Sequence, residues 1–200
     1  QYQFKHLSFQ EGLFAQHLLI QAEAGWEGWE TDETASTFLN NPFMNNTCRI
    51  AAGFFGTRLS KRRPTWDFSA AGTQLTDVGL QALWLICEKN EKLKVLNLKN
   101  NGVGAKPEDS MGLMRMLTTS TALVNLNISN NALGELGPHI KSFGRGISAN
   151  KTLTTLNVSN NRLLPEGIKV VCNALRTCTL MRDLDVSYNS PGREAALAGM

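Results

Sequence analysis

The chain has 200 residues, 42% of them apolar, with 20 Lys+Arg against 17 Asp+Glu for a net charge of +3. That is enough apolar material for one continuous core, and too weak a positive field for a charge-driven nucleic-acid or anionic-membrane partner. The apolar runs are short and interrupted, which excludes a spanning segment and a signal peptide, and the four Cys lack the spacing of a disulfide framework or a metal knuckle.

From the N-terminus, Phe4, Leu7 and Phe9 alternate with polar residues as in a strand, followed by Gly12. The stretch 25–33 holds Trp26 and Trp29 between glycines and four acidic residues. It is a candidate exposed edge contact for a basic or aromatic-binding partner; the other reading packs the Trp pair onto Phe4, Phe14 or a preceding repeat. Ser36, Phe38 and Asn41 form a second alternating unit. Lys61-Arg62-Arg63 is the one basic run, read either as a solvated loop or as a nuclear-import or acidic-partner signal. A third unit follows at Trp66-Asp67-Phe68, with Ala71 behind it.

From Leu93 onward the units become regular. Leu93-Lys94-Val95-Leu96-Asn97-Leu98 ends in Asn101, and the same L-x-x-L-x-L-x-x-N frame returns at Leu123 to Asn131, Leu153 to Asn161 and, with Met at the first position, Met181 to Asn189. The anchors Leu96, Leu126, Leu156 and Leu184 lie 30, 30 and 28 residues apart, and stepping back at that period reaches Trp66, Ser36 and Leu7. Apolar residues at spacings of 3, 4 and 7 predict helices over Leu80 to Cys87, Ile140 to Ile147 and Pro165 to Leu175, the last opening on Pro. Each unit is therefore a strand, a turn and a helix. A lone unit of this size cannot offset its ordering entropy, so stability must come from stacking. Neither end of the chain carries an evident cap, and the chain begins at Gln1, so flanking repeats or another domain are expected.

The recurring frame resembles the leucine-rich repeat, and the 28 to 30 residue period with helical second halves is similar to its ribonuclease-inhibitor-like subclass. The resemblance covers residues 95–200 strongly and the remainder weakly. It implies one domain over 1–200, with degenerate repeats in 1–92 and regular ones in 93–200. The expected architecture is a right-handed α/β solenoid of about seven repeats, with a parallel concave sheet inside and helices outside. It also implies a ladder of Asn side chains at Asn41, Asn101, Asn131, Asn161 and Asn189.

Strand alternation turns Leu96 and Leu98 into the stack and their neighbours to the concave side. The resulting grid is Thr65, Asp67 and Ser69; Val95, Asn97 and Lys99; Asn125, Asn127 and Ser129; Thr155, Asn157 and Ser159; Asp183, Asp185 and Ser187. By resemblance this face binds protein, although the Asn/Asp and Ser rows also read as repeat consensus. No catalytic constellation is expected: His6, His17 and His139 fall in different units, and Gly102-Val103-Gly104-Ala105-Lys106 lacks the spacing of a phosphate loop. No cofactor or metal is expected. Cys48, Cys87, Cys172 and Cys178 read as small buried hydrophobes in helical halves. Glycosylation sequons at Asn45, Asn127, Asn150 and Asn157 would place two glycans on the sheet, which favours a cytosolic setting.

The expectation is a non-catalytic protein-interaction scaffold or adaptor in a larger cytoplasmic or cytoskeletal assembly, cilia included. The alternatives are a regulator of a small GTPase resembling Ran GTPase-activating proteins, with Arg49 or Arg58 as loose counterparts of their important Arg, and the ligand-sensing repeat domain of an innate immune receptor. A tight inhibitor of a basic ribonuclease would require a more acidic inner face.

Overall fold

A computed structural model of the chain describes residues 12–17, 29–54 and 63–189. After a helical turn over 12–17 come α1 (Asp32–Leu39), a 3-10 turn (Pro42–Met44) and α2 (Asn45–Ile50). Strands and helices then alternate: β1 (Thr65–Asp67), α3 (Asp77–Cys87), β2 (Val95–Asn97), α4 (Pro107–Thr119) and β3 (Asn125–Asn127). A 3-10 segment (Leu133–His139) leads into α5 (Ile140–Ala149), followed by β4 (Thr155–Asn157), α6 (Pro165–Leu175) and β5 (Asp183–Asp185). The five strands form one parallel sheet in chain order, with Trp66, Leu96, Leu126, Leu156 and Leu184 side by side. The repeat period is thus the register of the sheet.

Local signals start and orient the helices. Thr76 caps α3 by accepting the Gly79 N–H at 3.3 Å, and α4 opens on Pro107 with Glu108 and Asp109 in its first turn. Each helix lays one apolar stripe against the strands: Leu80, Leu83 and Cys87 in α3, Leu113, Met116 and Leu117 in α4, Ile140, Phe143 and Ile147 in α5. These stripes and the inward strand residues make one core running from Trp29 to Ala174. In α6 the buried residues are Gly167, Val171 and Ala174, so Cys172 lies outside the stripe and is exposed, contrary to the expectation for it.

The Asn column ties successive turns together. The Asn101 amide donates to Phe68 O at 2.8 Å and its Oδ1 accepts the Leu75 N–H at 2.6 Å. Asn131 repeats this with Leu98 O and Val103 N, Asn161 with Ile128 O and Leu133 N, and Asn189 with Val158 O and Leu163 N. Every one of these amides therefore closes the backbone of the repeat before it, where buried polar groups would otherwise go unpaired.

Two expectations for the N-terminal part are corrected. The strand at Phe4, Leu7 and Phe9 lies outside the described residues, and Gly12 sits in a helical turn. The second unit is helix: Thr31 and Thr34 form a reciprocal capping box, Asp32 and Glu33 complement the positive helix end, and Ala35 and Leu39 bury one turn apart. Asn41 consequently caps the 3-10 turn through the Phe43 N–H at 3.0 Å and takes no part in the ladder. Its neighbour Asn40 reaches the first repeat instead, donating to Gln74 O and accepting the Thr76 N–H. Among the described residues five strand-bearing repeats stand where seven were expected.

The same helical segment covers the first repeat, against the expectation of no cap on that side. Both α1 and α2 pack on α3. Asp32 Oδ1 accepts the Asp67 N–H of the sheet edge at 3.1 Å and pairs with Arg63 at 2.8 Å, while Arg63 also donates to Trp29 O. An edge strand that would otherwise offer bare backbone donors is thereby closed by a side chain. Arg63 is a clamp rather than part of a solvated basic run; Lys61 and Arg62 lie outside the described residues.

Candidate functional site

Pairing in the sheet lines up two rows on the face opposite the buried leucines. One is Thr65, Val95, Asn125, Thr155 and Asp183; the other is Asp67, Asn97, Asn127, Asn157 and Asp185. Lys99 stands at the exit of β2. The structure thus gathers every concave-face residue expected from the sequence, with Thr65, Lys99 and Asp183 exposed and the others half-buried.

The rows differ in what their side chains already do. In the second, each Oδ1 accepts the backbone N–H two residues on: Asp67 from Ser69, Asn97 from Lys99, Asn127 from Ser129, Asn157 from Ser159 and Asp185 from Ser187, at 2.9 to 3.2 Å. These are Asx turns that bend the chain out of the strand. Repeat consensus explains this row. Thr65, Val95 and Asn125 make no side-chain hydrogen bond among the described residues, and Thr155 only reaches Asp183 Oδ2 at 3.4 Å.

Asp185 alone combines the turn with a charge that the structure favours. Hydrogen bonds from the Ser187 hydroxyl at 2.6 Å and the Ser187 N–H hold its carboxyl below the usual range. A folded pKa below the unfolded one gives stability that is full above about pH 3.9 and is lost as the pH falls through the folded value. Asp185→Asn keeps the turn, as Asn157 shows, and removes the titration. The expected result in thermal melts is near-wild-type stability at neutral pH and a shallower decline below pH 4. An unchanged acid slope would detach the shift from this turn.

Past the strand exits the face deepens into a groove of about 490 Å³, lined by Asn127, Asn157, Ser187 and Tyr188 between Lys99 and Asp185. Tyr188 is 86% exposed on a backbone with φ +52°. Preceding repeats fill this left-handed position with Asn100, Asn130 and Asn160, at φ 62°, 53° and 51°. Asn tolerates that conformation and Tyr does not favour it. Tyr188 was missed in the sequence; the break in an otherwise Asn-filled column is the signal that marks it.

Trp29 is not an edge contact. It is 2% exposed, with ring centroids 5.5 Å from Trp66 and 5.6 Å from Phe38; Trp26 lies outside the described residues. Arg49 is bound to Asn46 on α2, and Arg58 lies outside the described residues. His17 and His139 are exposed, one in the 12–17 turn and the other at the start of α5. Burial pushes the Cys48 thiol up to about 12 and that of Cys87 higher still, and raises half-buried Cys178. Among the described residues no three His, Cys, Asp or Glu gather as metal ligands, and no helix is long and apolar enough to cross a membrane. Of the sequons, Asn150 is buried, donating to Leu117 O and accepting from the Thr152 and Leu153 N–H groups.

Against known proteins, the family model described as Leucine Rich repeat matches residues 89–106 and 149–172, two segments that fall within the strand-turn-helix units. The fold is a leucine-rich-repeat solenoid. Among solved structures, this solenoid is similar to one titled Leiomodin-1 Actin-Binding Site 2, with a TM-score of 0.56 and 17% identity over 77% of this chain and 85% of that one. A tropomodulin C-terminal domain from Caenorhabditis elegans gives a TM-score of 0.44 at 17% identity, over 62% of this chain and 72% of that one. No curated protein sequence matches the solenoid.

Proposed function

We propose that the chain is a non-catalytic protein-interaction module that receives a protein partner on its concave face. The observation that carries this reading is Tyr188, fully presented from a left-handed backbone position at the rim of a polar groove. Exposed aromatics that sit where the fold gains nothing from them are the residues on which interfaces concentrate energy. The row from Thr65 to Thr155 adds side chains left over from folding. The 28 to 30 residue period and complete helices support the ribonuclease-inhibitor-like subclass. The leiomodin-1 domain of similar fold is named as an actin-binding site, which makes actin the first partner to test and a cytoskeletal assembly the setting.

Two variants test this with the fold preserved. Tyr188→Asn installs the residue of the other repeats, and the pair Asn125→Arg with Thr155→Arg fills the face while leaving the Asx turns intact. In co-sedimentation with filamentous actin, wild type is expected to pellet and both variants to bind at least about tenfold more weakly, with unchanged circular dichroism. Actin binding that survives both would place the interface elsewhere. Absence of actin binding by the wild type would remove the cytoskeletal setting.

A further inference from the structure

The outer surface carries a second feature, independent of the concave face. Between α5 and α6 runs a groove of about 570 Å³, with Lys141 and Arg145 on the α5 side, Asn173 on the α6 side, and Gly144, Val170 and Ala174 as its floor. Gly144 permits the trough: a Cβ there would come 2.5 Å from Val170 Cγ1.

The charges on this groove work against the helix that bears them. α5 reads IKSFGRGISA, two cations and no carboxylate. Lys141 lies in the first turn, where the positive end of the helix dipole disfavours a cation. Arg145 follows four residues later on the same face, a like-charge pair of the kind that weakens a helix. Neither has an ion-pair partner among the described residues, whereas Arg115, Arg162 and Lys169 stand against Glu88, Glu135 and Glu166. The α6 wall is neutral. The fold gains nothing from these two cations, and a partner of opposite charge would.

We infer that the α5–α6 groove docks an acidic amphipathic helix of a protein partner. Carboxylates four residues apart on such a helix match the spacing of Lys141 and Arg145, and small apolar residues between them fit against Val170 and Ala174. Nucleic acid fits less well: two cations displace few counterions, and the apolar floor has no phosphate to meet. Because the groove lies on the helical side of the sheet, it can be filled while the concave face is occupied.

The test uses the full chain and a fluorescein-labelled, five-turn amphipathic peptide with Glu pairs four residues apart and Ala and Leu between them. Fluorescence anisotropy is expected to show saturable binding. Lys141→Glu with Arg145→Glu should weaken it at least about tenfold, while the Asn125→Arg and Thr155→Arg pair leaves it unchanged. Lys141→Glu alone should melt no lower than wild type, since it relieves the dipole, so a lost signal cannot be blamed on unfolding. A peptide of the same composition with scrambled spacing should bind much more weakly. No binding, equal binding of the scrambled peptide, or insensitivity to charge reversal would overturn the inference. So would charge-sensitive binding confined to an oligonucleotide or to phosphatidylserine vesicles run in parallel.

Discussion

Asn161→Ala is expected to lower the unfolding free energy by about 3–5 kcal/mol, read as a fall in urea midpoint at constant slope. Asn161 is fully buried; its amide holds Ile128 O at 2.8 Å and its Oδ1 takes the Leu133 N–H at 3.2 Å. Truncation strands both groups where no water reaches, each at about 1–3 kcal/mol, and leaves the Val158 and Ser159 carbonyls without their side-chain donor. Asn41→Ala removes an amide at the chain's other Asn candidate, where only an exposed 3-10 cap is lost, and should cost about 1 kcal/mol or less. Similar costs at the two positions would mean that stacked turns do not depend on the side-chain column.

Gly104→Ala is expected to cost about 3–5 kcal/mol, combining backbone strain with overpacking. Gly104 has φ +97°, and a Cβ there would lie 2.8 Å from Ala132 C and O and Leu133 Cα, atoms of the next repeat that have no rotamer to change. The contact is fixed on both sides: Gly104 N donates to buried Asp109 at 2.9 Å, and Ala132 N donates to Val103 O at 2.9 Å. Gly102→Ala separates the two contributions, because Gly102 has φ +69° with open space around it and should show the strain alone, about 1–2 kcal/mol. Equal losses at both positions would show that close approach of successive turns adds nothing.

The regular half of this fold was legible because one short frame encodes register, burial and turn at once. Leu96, Leu126 and Leu156 must face inward together or not at all, so a fixed period suffices to align the strands. Trp66 is in that register although its letter differs, since any large apolar residue fills the position. Ser36 and Phe38 misled because two alternating residues carry little information, while Thr31, Asp32, Glu33 and Thr34 together specify a helix start. Trp29 was undecidable locally: its burial depends on Trp66, brought beside it only when the helical segment folds over β1. On the concave face, sequence identified which residues line up but not how they are employed. That Asn97, Asn127 and Asn157 spend one oxygen on their own backbone became visible only from the turns.

The amide column has a direction. Asn131, Asn161 and Asn189 each reach backward to complete the unit made before them, and no repeat supplies the groups that close its own exit. A repeat leaving the ribosome is therefore unfinished until its successor has emerged, and maturation of the coil must trail synthesis by one unit.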